Sequence, residues 1–248
     1  MMYPPDVDTA VQLLNQVART GRRLPSLPAA SQPKSVSEAL AIQDRLVEQA
    51  GQAVAGWKVA TSGDGEVMYG TIYAEDCFDS PAVVVRDRYP MMGVEGEVAF
   101  RFTQHLSQGE PLSRDEITAV LTPFPAFEIV ASRFVDYAAT PVLDRLADRM
   151  SNGGMVIGRP GGRSIDLSAL PVRLSLNAER IVEQVGGHVR GDPLLPVIEF
   201  INAMRPRRGF AAGQFITAGT FTGLRFGQPG EVWELQFEGL GEARLTIV

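Results

Sequence analysis

The stretch GVEGEVAF, residues 93–100, continued by Arg101 and Phe102, decides how this chain is read. Side chains on a strand alternate between two faces, so residues i and i+2 share one. Val94, Val98, Phe100 and Phe102 then point one way, and Glu95, Glu97, Ala99 and Arg101 the other. At a rise of about 3.3 Å per residue, the two carboxylates stand roughly 6–7 Å apart on one face. On a wet face their repulsion is small. In a cleft the effective dielectric falls and like charges resist joint ionisation.

A third carboxylate, Glu128, lies in PAFEIVAS, residues 125–132. Its same-face neighbours are Ala126, Val130 and Ser132, while Phe127, Ile129 and Ala131 take the other face. Neither face reads as bulk solvent. A buried ionised carboxylate costs several kcal/mol unless it is paired or bound to metal. Two arrangements meet that condition. In one, Glu95 and Glu97 face water and Glu128 pairs with an arginine such as Arg101 or Arg133. In the other, the three carboxylates gather around a divalent ion, and an all-oxygen donor set favours a hard one, Mg²⁺ or Mn²⁺.

Outward from these strands, the first fifth of the chain reads as helical. Residues 6–20 carry Val11, Leu13, Leu14 and Val17 at helical spacing, and residues 36–50 carry Val36, Leu40, Ile42, Leu46 and Val47, with Ser37 as the expected N-cap. The Pro- and Ser-rich LPSLPAASQPKS connects them. After residue 55 short β-type runs recur: GWKVAT, PAVVV, GEVAFRF, AFEIVAS, VRLSLNA, QFITAG, EVWELQF and ARLTIV, separated by Gly, Pro and Asp. One helix interrupts them at residues 192–206, with Asp192 as cap and Pro193 at the first helical position. The expected class is α+β: a single domain over 1–248, with a helical region over 1–52 and a β-rich metal-binding core over 53–248.

Bulk properties narrow the function. An apolar fraction of 45% supports a packed core in 248 residues. A net charge of −6 argues against a nucleic-acid partner, which calls for a basic stripe. The one basic cluster, RPRRG (Arg205, Arg207, Arg208), reads as a solvated loop. Cys77 is the sole cysteine, which excludes an internal disulfide framework and a cysteine-type zinc site and fits a reducing cytoplasm. The start MMYPPDVDTA lacks the pattern of a secretory signal, and no apolar run is long enough to span a membrane.

The ordered set GWKVATS, GVEGEVAF, PAFEIVASRFVDY, LADRMSNGGMVIG, GDPLLPVIEFINAM, AGQFITAGTFTG and FEGLGEARLTIV resembles the fumarylacetoacetate hydrolase superfamily. The likeness is greatest to its 2-keto-4-pentenoate hydratase and 4-oxalocrotonate decarboxylase branch, and it covers nearly the whole chain. It implies a rolled mixed β-sheet with peripheral helices, an oligomer, and a divalent metal held by Glu95, Glu97 and Glu128. It marks Lys58 as the active-site lysine. An ammonium there can hold a substrate carboxylate or an enolate oxygen, and burial would lower its pKa and make it a proton carrier. Ser151 matches a serine of the family's DNAS loop and Thr220 a Gly-rich loop over the substrate; both can hydrogen-bond a carboxylate or carbonyl.

The chain departs from the family at two places. Where the hydratases read QPD-G, this chain has EVMYG, with Met68 at the aspartate's place and Glu66 or Asp76 as candidate substitutes. Where they read DNAS, it has DRMS. The C–C hydrolases of the superfamily activate water with a histidine. Here His105 and His188 both read as surface residues outside the segment that carries it, which counts against hydrolysis.

The leading expectation is a metal-dependent lyase on a small 2-oxo acid: hydration of a 2-oxopent-4-enoate-like compound, or decarboxylation of an oxalocrotonate-like diacid. Two other classes remain open at this point: a glycosidase with paired carboxylates, and a 2-oxo-acid binder that has lost turnover.

Overall fold

The structure is a computed structural model that describes residues 6–61, 65–89, 91–161 and 166–248. The expectation that the N-terminus is not a secretory signal rests partly on residues 1–5, which lie outside the described residues. The helices are α1 (Val7–Thr20), α2 (Val36–Ala50), α3 (Arg114–Ala119), α4 (Val142–Ala147) and α5 (Leu194–Met204). Strands of the first half are β1 (Val54–Thr61), β2 (Val67–Tyr73), β3 (Cys77–Asp79), β4 (Ala82–Val84), β5 (Gly93–Phe102), β6 (Leu121–Val130) and β7 (Asn152–Ile157). Those of the second half are β8 (Arg159–Pro160), β9 (Pro171–Leu176), β10 (Glu179–Val185), β11 (Phe215–Thr220), β12 (Arg225–Phe226), β13 (Val232–Phe237) and β14 (Gly241–Ile247).

The fold is α+β and strand-rich, as expected. An eight-stranded mixed sheet runs β2-β1-β11-β5-β6-β7-β3, with β12 beside β5. It curls until β2 meets the turn before β7, so closely that a Cβ on Gly70 would stand 2.3 Å from the Arg149 carbonyl oxygen. Only glycine admits that approach. A six-stranded sheet, β10-β9-β13-β14-β4 with β8 beside β14, packs on its outer face. Contact is tight at Gly96, where a Cβ would lie 2.8 Å from Leu235.

Alternation sorts the side chains. Val94, Val98, Phe100 and Phe102 of β5 join Trp57, Phe127, Trp233, Leu235 and Phe200 in the main core. Helix α5 supplies Phe200, whose ring lies 5.8 Å from Trp57 and 5.5 Å from Tyr69. A second core joins α1, α2 and α4 around Val11, Leu14, Ile42, Leu46, Phe134 and Leu146. From there α2 covers the free edge of β2: the buried Gln43 side chain donates to Tyr69 O at 2.8 Å and accepts from Thr71 N at 2.8 Å, as a neighbouring strand would.

Several local expectations shift. The N-cap of α2 is Ser35, which accepts from Glu38 N at 3.2 Å; Ser37 lies inside the first turn. Helix α5 begins at Leu194, one residue later than expected, because Pro193 forms the cap position and Asp192 accepts from Leu194 N. The eight β-type runs do not include strands β2, β3, β7, β8, β10 and β12, nor do the helical runs include α3 and α4. The RPRRG segment is no simple solvated loop: the Arg208 guanidinium lies 4.3 Å over the Trp57 ring, and Arg205 donates to Ser107 O at 3.1 Å. No described helix is long and apolar enough to cross a membrane.

Candidate metal centre

The inner face of the roll carries the charge. Glu95 of β5 stands directly opposite Glu128 of β6, and Glu97 opposite Ala126. Opposed residues of an antiparallel pair share a face. Lys58 of β1 enters from across the concavity, two strands from β5, and its Nζ donates to Glu128 Oε1 at 2.7 Å. One carboxylate oxygen from each of Glu95, Glu97 and Glu128 lies within 4.8 Å of the others. Beneath them the roll is packed with Ile72, Ala99, Phe124, Ala126, Met155 and Phe215, which keep water out from that side.

Partners fix the carboxylates. Glu97, 1% exposed, accepts a short hydrogen bond from the Thr217 hydroxyl. Glu128, fully buried, accepts from Lys58 and, at 3.0 Å, from Asn152 Nδ2. Its second oxygen, Oε2, is buried without a partner, as are Ser151 Oγ and Asn152 Oδ1. Burial, reinforced by Glu128 and only partly offset by Lys58, pushes Glu95 up to about 7. Burial, then Glu128 and Glu95, raises Glu97 well above the carboxylate range. Burial pulls Lys58 down, but Glu128, Glu95 and Glu97 outweigh it and leave Lys58 above its ordinary value. With these three anions as its close neighbours, the lysine is raised rather than lowered as burial alone would have it.

This arrangement suits a divalent cation. Three carboxylates share one ammonium, which leaves two negative charges uncompensated in a buried site when all three are ionised. The raised carboxyl pKa values and the unpartnered Glu128 Oε2 mark a place where added positive charge would be favourable. The alternative pairing of Glu128 with an arginine is not found: Arg133 pairs with Asp148 at 3.2 Å and Arg101 lies over the Phe124 ring at 4.9 Å.

Ser151 ends a turn in which Arg149, Met150 and Ser151 all have left-handed φ, of 50°, 51° and 58°. Three such non-glycine residues in a row are strained. The turn is held by Arg149, stacked 4.1 Å over Tyr73 and donating to Thr71 O, and by Ser151 O, which accepts from Ala131 N at 2.8 Å. Thr220 pairs opposite Glu97, with its hydroxyl 3.4 Å from Gly96 O.

Two polar residues that hold the carboxylates were not singled out from the sequence. Thr217 shares a face with Phe215 in QFITAG, and alternation alone gives it no functional mark. Asn152 follows a serine that drew the attention.

The candidate substitutes for the family aspartate lie elsewhere. Asp76 pairs with Arg88 at 2.6 Å beside β3, and the exposed Glu66 lines a cleft between α2 and α5 with Asp44 and Tyr69. Met68 packs against the helical core. Of the histidines, His105 is exposed. His188 is buried at 5% exposure, contrary to its reading as a surface residue, because its ring nitrogen bonds Ala218 O at 2.8 Å and its face meets Phe221.

Comparison with known proteins agrees with this geometry. No protein-family model matches the chain. It is 27% identical to a 2-keto-4-pentenoate hydratase of Paraburkholderia xenovorans, over 98% of this chain and 95% of the relative. It is 28% identical to a 2-hydroxyhexa-2,4-dienoate hydratase of Comamonas testosteroni, over 97% of each, and 23% identical to a 4-oxalocrotonate decarboxylase of a Pseudomonas species, over 95% of each. Its fold matches that of 4-oxalocrotonate decarboxylase from Pseudomonas putida G7, solved with magnesium and adipate, with a TM-score of 0.85 at 20% identity over 100% of this chain and 99% of the other. In sequence and in fold the chain is similar to the 2-keto-4-pentenoate hydratases and 4-oxalocrotonate decarboxylases.

Proposed function

We propose that this chain is a divalent-metal-dependent lyase that hydrates a 2-oxopent-4-enoate-like substrate to a 4-hydroxy-2-oxo acid. The observation that carries this reading is the convergence of Glu95, Glu97 and Glu128 within 4.8 Å around one lysine, on the water-poor inner face of the roll. These three would hold the ion, and their oxygen donors suit Mg²⁺ or Mn²⁺. A bound ion of that kind supplies a Lewis acid that draws charge onto the 2-keto and carboxylate oxygens of a 2-oxo acid.

The chain's own groups do the rest. Lys58, held by Glu128 at 2.7 Å, would as an ammonium give Nζ–H bonds that favour the substrate carboxylate or the enolate oxygen over the neutral ketone. Ser151 Oγ, buried with no partner of its own, has a hydrogen bond to offer a substrate oxygen. Thr220 offers a second hydroxyl beside Glu97. In the overall reaction, the substrate's enone tautomer takes the oxygen of water at carbon 4 and a proton at carbon 3, with no redox change.

Decarboxylation of an oxalocrotonate-like diacid is the second reading, and Met68 favours it. Loss of CO₂ frees its own electron pair into the same enolate, so it does not call for a carboxylate base at that place. The reading carries with it a single catalytic domain over 1–248, a cytoplasmic setting and a homo-oligomer, the last tested by light scattering.

The deciding experiment follows the absorbance of 2-hydroxypenta-2,4-dienoate with Mg²⁺ and after chelation. Metal-dependent loss of the dienol is expected. Release of CO₂ from the diacid without hydration selects the second reading, and metal-independent activity overturns both.

A further inference from the structure

Strand β11 is irregular beside the carboxylates. Thr217 pairs with Ala99 and Thr220 with Glu97, so three steps on β11 match two on β5, and the extra residue makes a bulge at Ala218 and Gly219. Gly219 has φ +111°, a conformation open to glycine. The bulge has a consequence for the site. Residues an odd number apart normally face opposite ways, yet here Thr217 and Thr220 both stand opposite residues of the inner face, Ala99 and Glu97. Thr217 binds Glu97 directly.

A bulge frees a carbonyl from the ladder, and that carbonyl is claimed from outside the strand. His188 Nε2 bonds Ala218 O at 2.8 Å. The other ring nitrogen, Nδ1, accepts from Arg190 N at 3.3 Å, which assigns the proton of the neutral ring to Nε2 as the donor. The ring is clamped 5.4 Å from Phe221, whose carbonyl accepts from Gln184 Nε2 at 2.9 Å. Beyond the bulge, Phe221 N and Thr222 Oγ1 tie the chain back to the Gly96 backbone, between the two glutamates of β5, at 2.8 Å each.

We infer that His188 is a positioning residue: its Nε2–H holds the β11 bulge in the register that seats the Thr217 hydroxyl on Glu97 and sets Thr220 opposite that glutamate. It touches none of the carboxylates and acts through Ala218. The inference rests on the metal reading above for its effect on ion affinity, but not for its effect on the bulge itself.

Two variants separate hydrogen bonding from packing. His188→Phe keeps an aromatic ring against Phe221 and removes the donor. His188→Gln restores an N–H donor. Calorimetric Mg²⁺ titration is expected to show about tenfold weaker binding for His188→Phe, the scale of one lost hydrogen bond, and recovery to within about threefold for His188→Gln. Amide exchange over residues 217–222 is expected to quicken in the same order. Wild-type affinity and exchange in His188→Phe overturn the inference, as does a His188→Gln variant no better than the phenylalanine. Should His188→Phe fail to fold, His188→Gln decides alone: wild-type binding and exchange are expected, and a tenfold loss overturns the inference. A wild-type chain that takes up no Mg²⁺ overturns the metal reading instead, and the exchange data then judge His188.

Discussion

On the outer face of β5, Val94, Val98, Phe100 and Phe102 meet Trp57, Phe127 and the second sheet. On its inner face, one residue away at each step, Glu95 and Glu97 meet Glu128 and Lys58. Both faces are largely shut off from water, and they use burial in opposite ways. The outer face gains stability from burial, about 1.5–3 kcal/mol for each large apolar side chain. The inner face loses stability, because each desolvated carboxylate resists ionisation until a cation arrives. The backbone tolerates this because the outer core anchors the same strands. The roll is thus a rigid frame holding a site that folding alone leaves electrostatically unsatisfied.

The sharpest way to separate the faces is Lys58→Ala. Turnover should fall by about 10²–10⁴-fold, the scale of a lost group that stabilises charge or carries a proton at the reacting centre. Mg²⁺ binding should persist, because the ammonium competes with the ion for Glu128. Unchanged turnover removes Lys58 from the reaction. The converse variant, Phe200→Ala, should cost about 3–5 kcal/mol in denaturant unfolding as a cavity opens beside Trp57 and Tyr69, with Mg²⁺ affinity within about twofold of wild type. A large affinity loss there would mean that the two faces are energetically coupled.

Acidity gives a third test. Folding raises Glu95 to about 7 and lifts Glu97 as well, so the folded chain holds protons that the unfolded chain has released. This contribution to the stability of the metal-free protein is complete below the ordinary glutamate pKa and is lost as pH rises through about 7. Thermal melts without metal should therefore show a Tm lower by a few degrees at about pH 8 than at about pH 5, apart from background titrations, and Mg²⁺ should stabilise more at the higher pH. Equal Mg²⁺ effects at both values would show that the carboxylates are not its ligands. The smallest effect belongs to the exposed His105: His105→Ala should change stability by no more than about 0.5 kcal/mol and leave turnover intact. A severe loss of turnover would revive a histidine-activated water.

Much of this contrast was legible in the sequence, because alternation is a local property. The two faces of β5 and β6 follow from the order of Glu and Val, whereas the curled mixed sheet was implied only by the family resemblance that the ordered motifs carry. Relations made by distant strands were not legible. That Lys58 pairs with Glu128, across a roll and 70 positions away, depends on the sheet's curl. That Thr217 binds Glu97 depends on a bulge with no sequence mark beyond Gly219. The burial of His188 has the same origin: it is set by Ala218 of β11 and by Phe221 just beyond that strand, about 30 positions along the chain. Strands β2 and β7 escaped notice because glycines at 70, 153 and 154 break their apolar pattern, and those glycines are there to let backbones approach.

The central claim is that Glu95, Glu97 and Glu128 form one divalent-metal site. Isothermal titration of Mg²⁺ into metal-free wild type and Glu97→Gln tests it most directly. The account predicts one ion per chain in the wild type and at least about a hundredfold loss in the variant, whose amide keeps the shape and removes the charge. Equal binding by the two proteins, or no heat from either, would contradict it.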